Sequence, residues 1–327
     1  MVLVTGGTGF LGSALIQQLI DSGVHVRATK RDSSQIPVSL ENQPQLQWVT
    51  ADINDFFALE EAFEGITEVY HCAAFISFHP ADRHRLRKIN VEGTAHVVTL
   101  ALEHGARLLH VSSVAALGKS KSGAAVTEKD LWEYNNGKSG YSIAKYEAEQ
   151  EVWRGIAEGL DAVIVNPALI IGATARAGGN GTTGTLFANL QNGLNFYATG
   201  NVGLIDVQDV AKAMILLMEN RAIRGERFLL SNVNMSNREL LARCSTYLGR
   251  PAPRFKATPF VLSLAWRMAH GLAWFTGKRP SLTREVARSA SRIRQFSNEK
   301  VRRATGITFR PIDDTLREIC TALSTKQ

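Results

Sequence analysis

A chain of 327 residues, 45% hydrophobic and 20% charged with a mean hydropathy of −0.07, can fill a large α/β core and a second lobe, and is too balanced for disorder, collagen or low complexity. The formal net charge of +7 matches that of segment 278–303, which holds nine basic residues and two acids; without interleaved aromatics it reads as a solvated helical face rather than a nucleic-acid surface. Three cysteines (Cys72, Cys244 and Cys320) and no Cys/His cluster argue against a disulfide framework and a metal site.

The chain opens MVLVTGG, with no basic leader, so a cytoplasmic protein without a signal peptide is expected. Val2 to Thr5 is a short β-branched apolar run suited to a buried parallel strand. After glycine-rich residues 6–12, Leu11, Leu15, Ile16 and Leu19 mark one helical stripe that Gly23 ends. Strands are expected at 25–29, 46–50, 67–73, 107–112 and 162–165, and helices at 57–63, 91–103 and 141–158. This alternation predicts an α/β fold with a doubly wound parallel sheet. The alternation weakens after Pro167, so residues 1–167 are expected to form the core and 168–327 a smaller substrate-binding lobe that partly completes the core sheet. Residues 172–184 read as a mobile loop. No uninterrupted apolar run reaches eighteen residues. Residues 260–276, interrupted by Arg267 and His270, read as an amphipathic helix packed on the body rather than a membrane surface anchor.

Glycines at 6, 9 and 12 have distinct uses in the strand–loop–helix unit. Gly6 permits a tight turn, Gly9 lets backbone approach a pyrophosphate, and Gly12 lets the helix, entered through Phe10 and Leu11, lie close to the sheet. The helix N-terminus then offers free N–H groups to phosphate. At the end of the second expected strand stand Lys30 and Arg31, where an acid would favour NAD. A guanidinium there suits a 2′-phosphate, which favours NADP(H), although Asp32 follows and could fold back on Arg31. Tyr141 and Lys145, four apart, project from one helical face, where a lysine cation would lower the pKa of the phenol.

These motifs, in this order, resemble the extended short-chain dehydrogenase/reductase family, in its NAD-dependent epimerase/dehydratase-like branch. The matching stretches are Thr5–Gly12, Asp52-Ile53, His71-Cys72-Ala73-Ala74, Asn90, Val111-Ser112-Ser113 before Gly118, the Tyr141-to-Lys145 YxxxK motif, and Asn166-Pro167 before Gly172. The resemblance implies a Rossmann core that binds the dinucleotide through Gly6, Gly9, Phe10, Leu11, Gly12, Lys30, Arg31, Asp52, Ile53, Ala73, Ala74, Asn90, Tyr141, Lys145 and Pro167. It also implies carbonyl reduction, or the reverse, by Ser113, Tyr141 and Lys145. Ser112 is the rival to Ser113, and family spacing back from Gly118 favours Ser113. A homodimer through the two long helices is also expected.

The substrate wall is expected from Phe75 and Phe78, with Ile76 between them, from Ser113 and Asn166, and from Phe187 and Tyr197 beyond the glycine-rich loop. An aromatic pocket suits an apolar ketone or aldehyde, and within the family the chain resembles dihydroflavonol-reductase-like and 3β-hydroxysteroid-dehydrogenase-like members. Val114-Ala115 replaces the Asp-Glu pair of sugar dehydratases. Val202 stands where sugar epimerases carry a diphosphate-binding arginine, a role Arg227 or the basic tail could take instead. A nucleotide-sugar epimerase is therefore the alternative. A non-catalytic NADP(H)-binding protein is the second, disfavoured by the intact Ser113, Tyr141 and Lys145.

Overall fold

The computed structural model describes residues 1–121, 123–135, 137–173, 189–276, 279–280 and 282–324. A seven-stranded, wholly parallel sheet forms its centre, from β1 (Val2–Thr5), β2 (Val26–Lys30), β3 (Leu46–Thr50), β4 (Glu68–His71), β5 (Arg107–Val111), β6 (Ala162–Pro167) and β10 (Glu226–Leu230), in the order β10-β6-β5-β4-β1-β2-β3. Its central strands are apolar on both sides because helices cover both faces. On one face α1 (Phe10–Asp21) and α6 (Val207–Glu219) bury Leu15, Ile16, Val210 and Met214. On the other, α2 (Phe56–Phe63), α4 (Gly93–Glu103) and α5 (Gly140–Ala157) bury Phe63, Val97 and Val152. The strand order reverses direction between β1 and β4, and the crevice beyond their carboxyl ends is where such sheets receive ligands.

Past Pro167 the chain leaves the sheet for a three-stranded sheet of β7 (Leu169–Ile171), β9 (Asn201–Asp206) and β11 (Val233–Ser236), ordered β11-β9-β7, and returns twice. Helix α6 packs beside α1, with Gln18 Nε2 donating to Gln208, and β10 adds the edge strand beside β6. A third core lies under α7 (Asn237–Tyr247) and α11 (Ile312–Ser324), around Leu204, Leu240, Leu316 and Cys320. Strands β8 (Phe196–Ala198) and β12 (Phe255–Ala257) pair in parallel next to α8 (Pro259–Thr276).

Two sequence expectations change. The helix expected at 91–103 is preceded by α3 (Arg83–Arg87) and a π turn, Lys88–Glu92. The basic segment is not simply a solvated face. Besides forming α9 (Arg284–Ala290) and α10 (Glu299–Thr305), it bonds to the core, the extended part through Arg292 donating to the Gly137 carbonyl and Arg294 to that of Gly118, and α10 through Lys300 donating to that of Arg227. Among the described residues, no helix is long and apolar enough to cross a membrane, and no group of His, Cys, Asp and Glu could hold a metal.

Candidate active site

The loop after β1 closes on the loop after β4. Gly6 has φ +70, and a Cβ there would lie 2.7 Å from the Ala73 backbone, so only glycine fits both the angle and the space. Gly9 donates to the Gly6 carbonyl at 2.9 Å and caps α1 without a side chain. A Cβ on Gly12 would come within 2.3 Å of the same carbonyl. The first helical amide with a backbone partner is Ser13, to Gly9, leaving the N–H groups of Phe10, Leu11 and Gly12 available at the positive helix end. This cradle, which side chains would fill, fits a dinucleotide pyrophosphate. Gly7 was missed by the sequence reading. Its Cβ would strike Ala28 and Ile16, a constraint visible only once helix and sheet are packed.

The two cations at the end of β2 differ. Lys30 Nζ donates to Thr50 Oγ1 at 3.3 Å, whereas the side chain of exposed Arg31 has no hydrogen bond or ion pair among the described residues, and Asp32 does not fold back on it. Asp52 Oδ1 accepts the backbone and side-chain N–H of Asn54, both at 2.9 Å. Ile53 is buried below Gly93, where any side chain would collide with it, and its carbonyl receives His96 Nδ1 at 2.9 Å.

Tyr141 stands in the first turn of α5, which Ser139 caps by accepting the Ser142 N–H at 3.0 Å. The Ser113 hydroxyl sits beside its phenol and acts to lower the phenol's pKa. Ser112 faces the other way and donates to Glu149 Oε2 at 2.7 Å, so of the two serines only Ser113 meets the phenol. The Phe78 ring meets Tyr141 edge-on, with centroids 5.4 Å apart. One turn along, Lys145 is buried and donates from Nζ to the Val111 carbonyl at 2.9 Å. Burial brings its pKa down to about 8, against the raising influence of Cys72 and Glu149. The expected lowering of the phenol by this lysine is not found. Burial holds Tyr141 above the ordinary phenol value, with the Ser113 hydroxyl opposing it. Tyr141 is thus a protonated phenol at neutral pH.

The wall past β4 is fixed from behind. Asn90, buried in the π turn, accepts the Phe75 N–H at 2.7 Å and donates to its carbonyl at 2.9 Å. The Arg85 guanidinium lies 4.3 Å from the Phe75 ring centroid. Ala73 and Ala74 follow β4 at the crevice, and Pro167, buried, ends β6. Other expected wall residues lie elsewhere. Asn166 is wholly buried and donates to the Ser113 carbonyl at 3.1 Å and to Glu149 Oε2 at 2.8 Å, so it supports Ser113 from below rather than lining a pocket. Tyr197 packs on the third core, with Arg238 over its ring. Phe187 and most of the loop at 172–184 lie outside the described residues.

Two buried polar systems were missed. Glu149 pairs with Arg227 at 3.0 Å and also accepts from Trp153, and Arg227 donates further to the Glu128 carbonyl, so it is not available to hold a phosphate. Glu149 falls four residues after Lys145 on the same helical face, the one sequence signal for it. The other is His71, between Thr5 Oγ1 on Nδ1 at 2.7 Å and Thr94 Oγ1 on Nε2 at 3.0 Å. Thr94 gives its proton to the Asn90 carbonyl, so His71 must donate from Nε2 and accept at Nδ1.

A Rossmann sheet with a glycine cradle at its switch point and a Ser-Tyr-Lys set beside it defines a nicotinamide-nucleotide enzyme of the short-chain dehydrogenase/reductase type. The chain belongs to the NAD-dependent epimerase/dehydratase family, which it matches over residues 2–231. It is 32% identical over 321 residues, 96% of this chain and 92% of the other, to a Synechocystis sp. protein provisionally named dihydroflavonol 4-reductase. It is also 32% identical over 259 residues, 79% of this chain and 77% of the other, to the sterol demethylase protein B of Methylococcus capsulatus. The crystal structure of gox2253 superposes with a TM-score of 0.84 at 28% identity, covering 100% of this chain and 98% of that one. The protein is an NAD(P)-dependent oxidoreductase.

Proposed function

We propose that the protein reduces a ketone or aldehyde of a small apolar compound with NADP(H). The observation that carries this reading is the Tyr141 phenol, set beside Ser113, flanked by Phe78 and kept protonated by burial. A protonated phenol is the form that gives a proton to a carbonyl oxygen as charge develops there. Ser113 lends its hydroxyl to the same oxygen. The first turn of α1 would hold the pyrophosphate, and Arg31, whose side chain has no partner among the described residues, would hold a 2′-phosphate. Asp52 and Ile53 would flank the adenosine, and Lys145 would hold the ribose next to the reacting ring. A bound nicotinamide nucleotide supplies the hydride. Phe75 and Phe78 make the wall apolar, in keeping with the flavonol and sterol compounds in the names of the two relatives.

Tyr141→Phe tests the assignment. It removes one oxygen, and kcat for NADPH-dependent reduction is expected to fall roughly 10²- to 10⁴-fold while NADPH still binds. NADPH consumption across aromatic aldehydes, ketosteroids, flavonoid ketones and nucleotide sugars is the companion assay, with turnover expected only for the apolar carbonyls. Full activity in the Phe variant, or conversion of nucleotide sugars alone, overturns the reading.

A further inference from the structure

Helix α8 leaves its apolar side in water. Phe260, Val261, Leu264, Met268 and Leu272 are between 40 and 79% exposed. At about 100° per residue they fall within an arc of roughly 120°, along a helix about 27 Å long. The opposite side, with Leu262, Trp266 and Ala269, is half-buried against the protein. A continuous apolar stripe of this size on a soluble surface marks a contact site.

The flank of the stripe is cationic. A cavity of about 500 Å³ lies between α8 and α9, lined by Arg267, Arg284, Arg288 and Arg292 together with Ser263 and Trp266, and no acid lines it. The side chains of Arg284 and Arg288, one turn apart, make no hydrogen bond or ion pair among the described residues. The acid of α9, Glu285, does not line this cavity; it interacts with the Gly140 backbone and with the charges of Arg83 and His79.

We propose that α8 is a peripheral membrane anchor, its apolar stripe entering the interface of an anionic bilayer while the arginines at its flank meet the lipid phosphates. Apolar side chains below and guanidinium groups at headgroup level are what such an interface accepts. A second copy of the chain fits less well, because an antiparallel twofold contact through the stripe would set the same cationic flank against itself. The anchor also borders the catalytic crevice. Arg279, just past α8, pairs with Asp82 at 3.0 Å, and Asp82 holds the Ser77 hydroxyl at 2.6 Å, next to the Phe78 that meets Tyr141. Glu285 interacts with the backbone of Gly140, the residue before Tyr141. Docking would bring this mouth to the lipid surface, where apolar carbonyl compounds dissolve. That consequence rests on the proposed function; the docking itself does not.

The test is flotation of the full-length protein with phosphatidylcholine vesicles, with and without phosphatidylglycerol. The wild type is expected to float with the anionic vesicles and to be released as salt is raised. Leu264→Glu with Met268→Glu should abolish flotation. Arg284→Gln with Arg288→Gln should weaken anionic binding roughly tenfold or more and leave neutral vesicles unaffected. A wild type that stays unbound with anionic vesicles overturns the proposal, as does equal binding by both double variants. Sedimentation velocity supplies the competing outcome: a wild-type dimer that the glutamate variant dissociates, with no flotation, would assign the stripe to self-association and overturn the lipid assignment. Reduction of a water-soluble aldehyde at the wild-type rate by the glutamate variant shows that the fold is intact, and separates a failure of docking from a failure of the reductase chemistry.

Discussion

Glu149→Gln keeps the shape of the side chain at the centre of the site and removes its charge. The carboxylate serves four donors: Arg227 Nη1 at 3.0 Å and Trp153 Nε1 at 3.3 Å on Oε1, and Ser112 Oγ at 2.7 Å and Asn166 Nδ2 at 2.8 Å on Oε2. A glutamine must turn its NH₂ toward one pair. Toward Arg227 and Trp153 it meets two groups that can only donate. Toward Ser112 and Asn166 it is tolerable only if the hydroxyl rotates and the Asn166 amide flips, which gives up the Asn166 bond to the Ser113 carbonyl. Arg227 then stays largely buried without its counter-ion, a loss of about 3–5 kcal/mol. The lower end applies here, because Arg227 keeps the Glu128 carbonyl. With about 2.1 cal/mol/K of unfolding entropy per residue over 327 residues, a loss of about 3 kcal/mol lowers Tm by roughly 4 °C. The assays are calorimetry and NADPH-dependent turnover, and kcat is expected to fall with Tm because Ser113 loses a support. A Tm unchanged within about a degree, with kcat also unchanged, would refute the claim that this network fixes the serine.

The remaining predictions concern the cofactor. Arg31→Asp should lower kcat/KM for NADPH by roughly one to two orders of magnitude, the worth of a charge-assisted phosphate contact, and spare NADH; an unchanged NADPH/NADH ratio removes the 2′-phosphate assignment. In the free enzyme Lys145 titrates at about 8, so kcat/KM for NADPH should decline as pH rises through that value, roughly tenfold per unit beyond it. Lys145→Met should be slow at every pH and lack this limb, and a limb that persists would belong to another group.

The first half of the fold was legible because each element carries its own instruction. A β-branched run, glycines at three-residue spacing and a leucine stripe specify β1, its turn and α1 without reference to the rest of the chain. The return of residues 226–230 to the sheet edge carries no such local mark. ERFLL is a short apolar run that could pair anywhere, and only the placement of α6 against α1 delivers it beside β6. The same limit explains Asn166. Its motif fixed its position at the end of a strand, but the direction of its amide depends on Glu149, which arrives from another element. The apolar periodicity of α8 shows that one side wants burial, and it cannot show whether the chain supplies a cover.

What these hidden groups have in common is that they fix the loops bearing the reacting atoms. His71 links Thr5, one residue before the glycine turn, to Thr94 and through it to Asn90, the clamp on Phe75. The Glu149 system links Arg227 to Ser112 and, through Asn166, to Ser113. The two differ in charge, and so in their response to pH. Burial, with the Lys145 charge assisting, brings the His71 pKa down to about 3, so the ring is neutral throughout the physiological range and its tautomer is fixed by its two threonines. His110, at a ring distance of 5.2 Å, is likewise neutral. In the unfolded chain both would take up a proton near 6.5, so their contribution to stability is present above that pH and is lost as pH falls below it, for His71 down toward 3. Neither histidine changes charge between pH 7 and 9. A titration near 8 in cofactor capture therefore has to come from another group, and Lys145, buried one turn from Tyr141, is brought to that value.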